Sequence, residues 1–411
     1  MVFLDMDSKG WEGMALNVRV LEIQNLKQAE MELAKINCDT MNAMSQSAVF
    51  RIVKLEQVSI RTAILLKQIF LAEGGGVALG KEIADLSEIS PIDMLLFASL
   101  KQFQMAIIQL KAQTAEVFEI AEAIERVLKY CEAFPERSYH WKQHSLSIRP
   151  KHTLIMGILN VTPDSFSDGG RYNTIDKALY HVEDMIQSGA DIIDIGAEST
   201  RPYPGARKIS AEEEMERLAP LLEKIVAIST VPVSIDTYKA KVALEALKIG
   251  VHIINDIWGL QQDRDMADVV AQFNVPVIIM HNQDTATYRN DIMSEIYSFL
   301  QDSIAIGLRA GIAPDKFIVD PGIGFGKTAA HNLTVMSRLE ELRSLGCPIL
   351  LGTSNKRFIG EILDLPVEDR MEGTGATVAL GIMKGSNIIR VHDVQAMARI
   401  AKMTDAMMKE R

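Results

Sequence analysis

Polar side chains stand at the carboxyl ends of eight short apolar stretches in the last two-thirds of the chain. They comprise two amides, three carboxylates, an imidazole, a hydroxyl and a guanidinium: Asn160, Asp194, Asp236, Asn255, His281, Asp320, Ser354 and Arg390. Carboxylates and amides brought together could hydrogen-bond the donor and acceptor edge of a heterocycle. The guanidinium could bind an anion through two parallel hydrogen bonds.

A divalent-cation cage is the alternative use of such oxygen ligands. It fits less well, because one of the three central groups (Asp236, Asn255 and Asp320) is an amide and no fourth carboxylate lies near them in sequence. A single polar residue at a strand end needs no functional explanation, because the chain becomes polar wherever a buried strand ends. Eight that converge on one place indicate a site.

The eight apolar stretches alternate with segments of helical spacing, such as 175–188, 211–228 and 291–310. The stretches are 154–160, 191–196, 231–236, 251–256, 275–281, 316–320, 348–352 and 387–391. Strands that are apolar on both faces and alternate with helices form parallel βα units. Eight units predict a (β/α)8 TIM barrel over 151–411, whose active site would lie at the carboxyl ends of the strands. A doubly wound sheet competes, but the number of units and the placement of the polar residues favour the barrel.

The first 133 residues predict a smaller N-terminal α+β domain. We expect strands at 18–23, 50–58 and 93–98, and helices at 26–36, 59–72, 99–111 and 115–130. The glycines at 74–76 are interpreted as a helix stop and loop, because no Lys-Ser/Thr pair follows as in a phosphate-binding loop. Residues 134–150 are the predicted linker and barrel lead-in. Residues 1–133 contain no recognisable aldolase or pyrophosphokinase motif, so we expect a structural or interaction role for them.

Net charge and cysteine content indicate which binding partners and which redox compartment to expect. The net charge of -11 argues against binding to nucleic acid or to an anionic membrane. Three scattered cysteines fit a reducing cytoplasm and no disulfide framework. No signal peptide and no transmembrane stretch is expected.

Loops after the predicted strands carry further reactive groups. The segment 160–170 reads Asn-Val-Thr-Pro-Asp-Ser-Phe-Ser-Asp-Gly-Gly and would bring Asp168 over the barrel mouth. The second loop reads Glu-Ser-Thr-Arg-Pro, in which Arg201 could bind pyrophosphate. Helix capping and a surface salt bridge are the structural alternatives for these two loops.

The last two strands lead into Ser354-Asn355-Lys356 and end in Arg390-Val391-His392-Asp393. Loops at these positions are the usual phosphate site of a barrel. Arg390 and His392 alternate along a strand, so both face the same side.

In order and spacing these segments resemble the dihydropteroate synthase family. The likeness covers about 142–411, including Asp-Pro-Gly-Ile-Gly-Phe at 320–325 and Arg-Val-His-Asp at 390–393. Leu-Leu-Lys-Gln at 65–68 and Phe-Ala-Ser-Leu-Lys-Gln at 97–102 resemble more weakly an N-terminal extension of longer members.

The resemblance implies a role for each matching residue. Asp236, Asn255, Asp320 and Lys356 would bind the pterin. Asn160 with Mg2+, and Arg201, Arg390 and His392, would hold the pyrophosphate. Thr200, Pro202, Phe325 and Ser354 would form the p-aminobenzoate pocket. The catalytic residues would be Asp168, Asp236, Lys356 and Arg390.

The implied reaction joins 6-hydroxymethyl-7,8-dihydropterin pyrophosphate to p-aminobenzoate, an alkyl transfer in folate synthesis. The pyrophosphate ester would ionise before the arylamine attacks. The resemblance also implies a homodimer and a sulfonamide target. Two departures bear on sulfonamide sensitivity: Asn355 replaces the family's usual Arg, and Tyr203-Pro204 lengthens the second loop. A methyltetrahydrofolate:corrinoid methyltransferase and a catalytically silent pterin-binding protein are the competing functions.

Overall fold

A computed structural model describes residues 17–80, 91–132, 134, 136–161, 171–198 and 209–409. The chain divides into two compact units, Met1–Arg126 and Val127–Arg411. The division falls inside a helix, before the boundary at 133 drawn from sequence. Within the described ranges, no helix is long and apolar enough to cross a membrane.

The first unit contains a three-stranded antiparallel sheet in the order β1-β3-β2. Its strands are β1 (Phe50–Val58), β2 (Gly76–Leu79) and β3 (Ile92–Ser99), and its helices are α1 (Leu26–Lys35), α2 (Met41–Ala48), α3 (Ile60–Ala72), α4 (Leu100–Lys111) and α5 (Ala115–Glu132), which runs on into the second unit. Ser59 caps α3, and a Ser99–Gln102 capping box starts α4.

The predicted α+β character is confirmed, with one strand wrong and two elements missed. Residues 17–24 form no strand, and Val18 and Val20 are 86% and 94% exposed, so their β-branched side chains have no partner surface. Helix α2 and strand β2 were not predicted. The glycines at 74–76 do stop α3, since Gly74 adopts a φ of 75°, but Gly76 then begins β2.

The second unit is a barrel of eight parallel strands, as predicted. They are β6 (Leu154–Asn160), β7 (Ile192–Gly196), β8 (Val233–Asp236), β9 (Ile253–Asp256), β10 (Val277–Met280), β11 (Phe317–Asp320), β12 (Leu350–Leu351) and β13 (Ile388–Val391). Neighbours pair in the order β11-β10-β9-β8-β7-β6-β13-β12. A parallel bridge between Val319 and Ile349 closes the ring.

Helices follow the strands around the barrel. They are α6 (Arg171–Gln187), α7 (Ala211–Ile228), α8 (Ala240–Ile249), α9 (Met266–Phe273), α10 (Ile292–Ala310), α11 (Ala329–Ser337), α12 (Arg357–Leu363), α13 (Met371–Met383) and α14 (Val394–Lys409). The predicted α7 matches at both ends, and Asp291 caps α10. Apolar side chains on the outward face of the strands pack against these helices.

The side chains inside the barrel change from apolar to polar along the strands. An apolar layer of Met156, Ile192, Ile253, Ile278, Ile318, Leu350 and Ile388 fills the lower half. Two residues further along β7, β9, β11 and β13 stand Asp194, Asn255, Asp320 and Arg390. Because side chains alternate between the two faces of a strand, these four also face the barrel interior, above the apolar layer.

A hairpin covers the lower end of that apolar layer. Strands β4 (Arg137–His140) and β5 (Ser145–Ile148) lie in the segment predicted as linker and lead-in. Tyr139, Leu146 and Ile148 from the hairpin are buried in the same cluster as the apolar layer, and the Tyr139 hydroxyl donates to the Asp315 carbonyl at 2.8 Å. The barrel is thus sealed below and polar above.

Candidate active site

Arg390 forms the centre of the polar layer. Its Nε donates to Asp194 Oδ2 at 2.6 Å, and its Nη2 donates to Asp236 Oδ2 at 2.8 Å. Burial alone would lower the pKa of Arg390, but Asp194 and Asp236 outweigh it and leave that pKa raised. One guanidinium therefore joins two carboxylates on adjacent strands, and the group stays charged.

The two carboxylates are incompletely satisfied. Asp194 is fully buried and the side chain of Asp236 is 11% exposed. Their Oδ1 atoms, and the hydroxyl of Ser234, the register partner of Asp194 on β8, hydrogen-bond no described residue. Burial raises the pKa of Asp236 to about 7, although Arg390 opposes the rise. A buried acceptor without a donor is costly, so this part of the layer is suited to a ligand that brings N–H groups.

Asn255 extends this acceptor edge onto the neighbouring strand. It is the register partner of Asp236, and its Nδ2 donates to Asp194 Oδ2 at 3.1 Å. The predicted pterin-binding residues Asp236 and Asn255 are therefore side by side. Asp194 was noted from sequence as a strand-end residue without a role, yet it touches both Asn255 and Arg390.

Asp320 lies across the barrel at the end of β11 and accepts a hydrogen bond from the Gly322 amide at 2.7 Å. Burial raises its pKa to about 6, against the lowering effect of that amide. Gly322 has a φ of 69°, and a Cβ there would lie 1.9 Å from the His281 carbonyl oxygen. Glycine is therefore required at position 322, in the turn that connects Asp320 to Phe325.

Lys356 and Phe325 connect that turn to the loop after β12. The Lys356 amine lies 4.3 Å from the centroid of the Phe325 ring, a cation–π contact. Phe325 packs with Ile257 and Met280, and Tyr238 and Trp258 pack against this group. The site thus has an apolar, aromatic wall beside its carboxylates, which suits a flat ring.

Lys327 and His281 form a pair that the sequence reasoning did not assign. Lys327 Nζ lies 2.8 Å from His281 Nδ1 and donates to the Phe325 carbonyl at 3.1 Å. Burial lowers the pKa of Lys327 to about 7 and that of His281 to about 3. His281 was noted from sequence as a strand-end residue and Lys327 as the residue after Gly326, but nothing in the sequence indicated that the two pair.

Ser354 and His392 are hydrogen-bonded to each other, although they were predicted for the p-aminobenzoate and pyrophosphate subsites respectively. The Ser354 hydroxyl lies 3.0 Å from His392 Nδ1 and accepts a hydrogen bond from the His392 amide at 3.2 Å. Asn160, the predicted Mg2+ ligand, ends β6 and is exposed at the mouth. Four predicted residues fall outside the described part of the chain: Asp168, Thr200, Arg201 and Pro202.

Comparison with known proteins settles which family has this arrangement. The family of pterin binding enzymes matches residues 156–392. A dihydropteroate synthase of Bacillus subtilis is 56% identical over 271 residues, which is 66% of this chain and 94% of that protein. The chain belongs to the dihydropteroate synthase family.

Solved dihydropteroate synthase structures agree with the barrel. An enzyme from Clostridium difficile, solved with pteroic acid, is 51% identical with a TM-score of 0.61, over 62% of this chain and 97% of that one. An enzyme from Xanthomonas albilineans, solved with 4-aminobenzoic acid, is 38% identical with a TM-score of 0.63, over 67% and 99%.

The residue that departs from the dihydropteroate synthase pattern after β12 has a local structural role. Asn355 adopts a φ of 55°, which Asn tolerates better than most residues. Its amide donates to Thr374, and its carbonyl accepts from Arg370 Nη1 at 3.1 Å. Lys356 follows it and still reaches Phe325, so the substitution leaves that cation–π contact in place.

Proposed function

We propose that this barrel condenses 6-hydroxymethyl-7,8-dihydropterin pyrophosphate with p-aminobenzoate, giving 7,8-dihydropteroate and pyrophosphate. The observation that carries the proposal is the buried edge of unsatisfied acceptors, Asp194 Oδ1 and Asp236 Oδ1, beside the amide of Asn255 and a cationic guanidinium. A pterin brings adjacent ring and amino N–H donors to such an edge. A ligand without them would leave the carboxylates unpaired.

The pterin would lie between Asp236, Asn255, Asp320 and Lys356. The carboxylates accept from its N–H groups, and Lys356 donates to an acceptor on the ring. Ile257, Met280 and Phe325 supply the apolar contact that an aromatic ring needs. The pterin ring would lie between this apolar wall and the polar edge, which fixes the position of its exocyclic carbon, the reacting atom.

The pyrophosphate would be held by Arg390 and His392, joined by Arg201 and by Asn160 with Mg2+. Among the described residues no group of three His, Cys, Asp or Glu could hold a metal ion. Mg2+ commonly takes one or two protein oxygens and completes its shell with water and substrate phosphates, so a lone amide oxygen from Asn160 fits it. When bound, Mg2+ would neutralise charge on the leaving pyrophosphate.

Charge in the site favours ionisation before attack. Departure of pyrophosphate puts negative charge on its bridging oxygen, where Arg390 is available to stabilise it. The exocyclic carbon becomes cationic, and the carboxylates of Asp236 and Asp320 stabilise that charge. The arylamine of p-aminobenzoate is a nucleophile at neutral pH, so it attacks without a strong base. Phe325, Ser354, Thr200 and Pro202 would position it, and Asp168 would help to close the site.

A product assay tests this function. Purified protein is supplied with the pterin pyrophosphate ester, p-aminobenzoate and Mg2+, and dihydropteroate and pyrophosphate are quantified beside Arg390→Ala. Equal amounts of both products from the wild type, with the rate reduced at least a hundredfold in Arg390→Ala, are expected. Pterin binding without product would overturn the proposal in favour of a silent pterin-binding protein. Methyl transfer from methyltetrahydrofolate to cobalamin would overturn it in favour of the methyltransferase.

A further inference from the structure

Asp194 joins two residues of the proposed site through one oxygen atom. Its Oδ2 accepts from Arg390 Nε at 2.6 Å and from Asn255 Nδ2 at 3.1 Å. The side chain has no solvent exposure. Neither contact is predicted by local sequence, because the partners lie 61 and 196 residues away.

Asp256 shows what a purely structural carboxylate looks like in this barrel. It is equally buried and adjoins Asn255, but it faces the opposite side of β9. Both of its oxygens are satisfied by backbone amides, from Trp258 at 2.9 Å and from Leu260 at 2.7 Å. Asp194 instead holds two side chains of the site and keeps an Oδ1 that no described residue hydrogen-bonds.

We propose that Asp194 is a positioning residue that couples the pterin subsite to the pyrophosphate subsite. By holding Asn255 Nδ2 it fixes which way the amide faces, so that the Asn255 oxygen is presented to the pterin. By holding Arg390 Nε it orients the guanidinium. The Nη1 atom of that guanidinium donates to no described residue, so it can donate to the pyrophosphate. This inference rests on the proposed function and deepens it.

Two ligands separate the two contacts. 6-Hydroxymethyl-7,8-dihydropterin tests the pterin side of Asp194, which comprises its contact with Asn255 and its own Oδ1. The pyrophosphate ester, with Mg2+, tests the Arg390 contact as well. Asp194→Asn keeps the size of the side chain and removes its charge. We expect about a tenfold weaker affinity for the pterin alone, and about a further tenfold loss of the extra affinity that pyrophosphate confers, since each contact is a hydrogen bond to a charged group.

A double-mutant cycle read by titration calorimetry tests the coupling. Affinities for both ligands are measured for the wild type, Asp194→Asn, Arg390→Ala and the double variant. The inference predicts that Asp194→Asn no longer reduces the pyrophosphate increment once Arg390 is absent. Equal loss in both backgrounds, or no loss in either, would overturn it. Asp191→Asn is the matched control, because Asp191 precedes β7 at the end remote from the site and accepts a hydrogen bond from the Ile155 amide at 2.8 Å, and we expect unchanged affinities.

A second cycle covers the case in which Asp194→Asn fails to fold. Asn255→Ala and Arg390→Ala share Asp194 as their common partner, so their losses of affinity for the ester should be non-additive. Additive losses would contradict the coupling.

Measurement of turnover distinguishes failure of this inference from failure of the proposed function. A wild type that binds the ester and shows the coupling but forms no dihydropteroate would overturn the function alone. Product formation with additive cycles would overturn the inference alone, and no binding of the ester would overturn both.

Discussion

Replacement of Asp236 by Asn is predicted to stabilise the substrate-free barrel and to weaken its pterin site. Burial raises the pKa of Asp236 from an ordinary value of 3.8 to about 7. Between these pH values the native state holds a proton that the unfolded chain has lost. The free energy of unfolding therefore falls as pH rises through this window, and the full cost is present above pH 7.

The size of the effect follows from the pKa difference. About three pH units correspond to about 4 kcal/mol. Asn has the shape of the protonated carboxyl and no charge, and Arg390 keeps its 2.6 Å contact with Asp194. Asp236→Asn should therefore exceed the wild type in unfolding free energy by up to about 4 kcal/mol at pH 8. The difference should vanish near pH 4.

Urea denaturation between pH 4 and pH 8 measures this difference, followed by circular dichroism and tryptophan fluorescence. Asp302→Asn, an exposed substitution on α10, is the control and should leave the unfolding free energy within about 0.5 kcal/mol of the wild type. An Asp236→Asn variant that is less stable than the wild type at pH 8, or a difference that is constant with pH, would refute the reasoning. Affinity for the pterin should fall in the same variant, because the protein has lost a charged acceptor.

Three further predictions concern other parts of the molecule. Lys327→Met releases the Phe325 carbonyl, so steady-state kinetics should show an approximately tenfold higher KM for p-aminobenzoate; an unchanged KM would contradict a positioning role for Lys327. Tyr139→Phe leaves the Asp315 carbonyl without its donor and should lower the unfolding free energy by about 1 kcal/mol in urea denaturation with turnover unchanged; equal stability would contradict the contribution of that hydrogen bond. A fragment of residues 127–411 should form dihydropteroate at the kcat of the full chain, whereas a soluble but inactive fragment would show that the N-terminal unit does more than support or interact.

Much of the barrel could be predicted because its strands are buried on both faces. Such strands appear as short apolar stretches, and all eight were located to within about two residues. The polar residue at each carboxyl end then predicted that Asp236, Asn255 and Asp320 converge at the barrel mouth. Their position at the carboxyl ends of the strands, the face where a barrel carries its active site, was sufficient for this step.

Features that depend on distant partners could not be predicted in the same way. The β4–β5 hairpin consists of four-residue strands with exposed polar positions, and burial of Tyr139 against the barrel makes it a structural element. The pairing of Asp194 with Arg390 and of Lys327 with His281 depends on barrel closure. Local propensity carries no information about such contacts. For the same reason the isolated β-branched residues Val18 and Val20 suggested a strand where none forms.

The central claim is that Asp236, Asn255 and Asp320 bind a pterin inside the barrel. A crystal structure of the chain with 6-hydroxymethyl-7,8-dihydropterin tests it most directly. The account predicts that ring N–H groups donate to Asp236 and Asp320, with one face of the ring against Phe325 and Met280. A pterin bound elsewhere, or bound inside the barrel with Asp236 Oδ1 still lacking a donor, would contradict it.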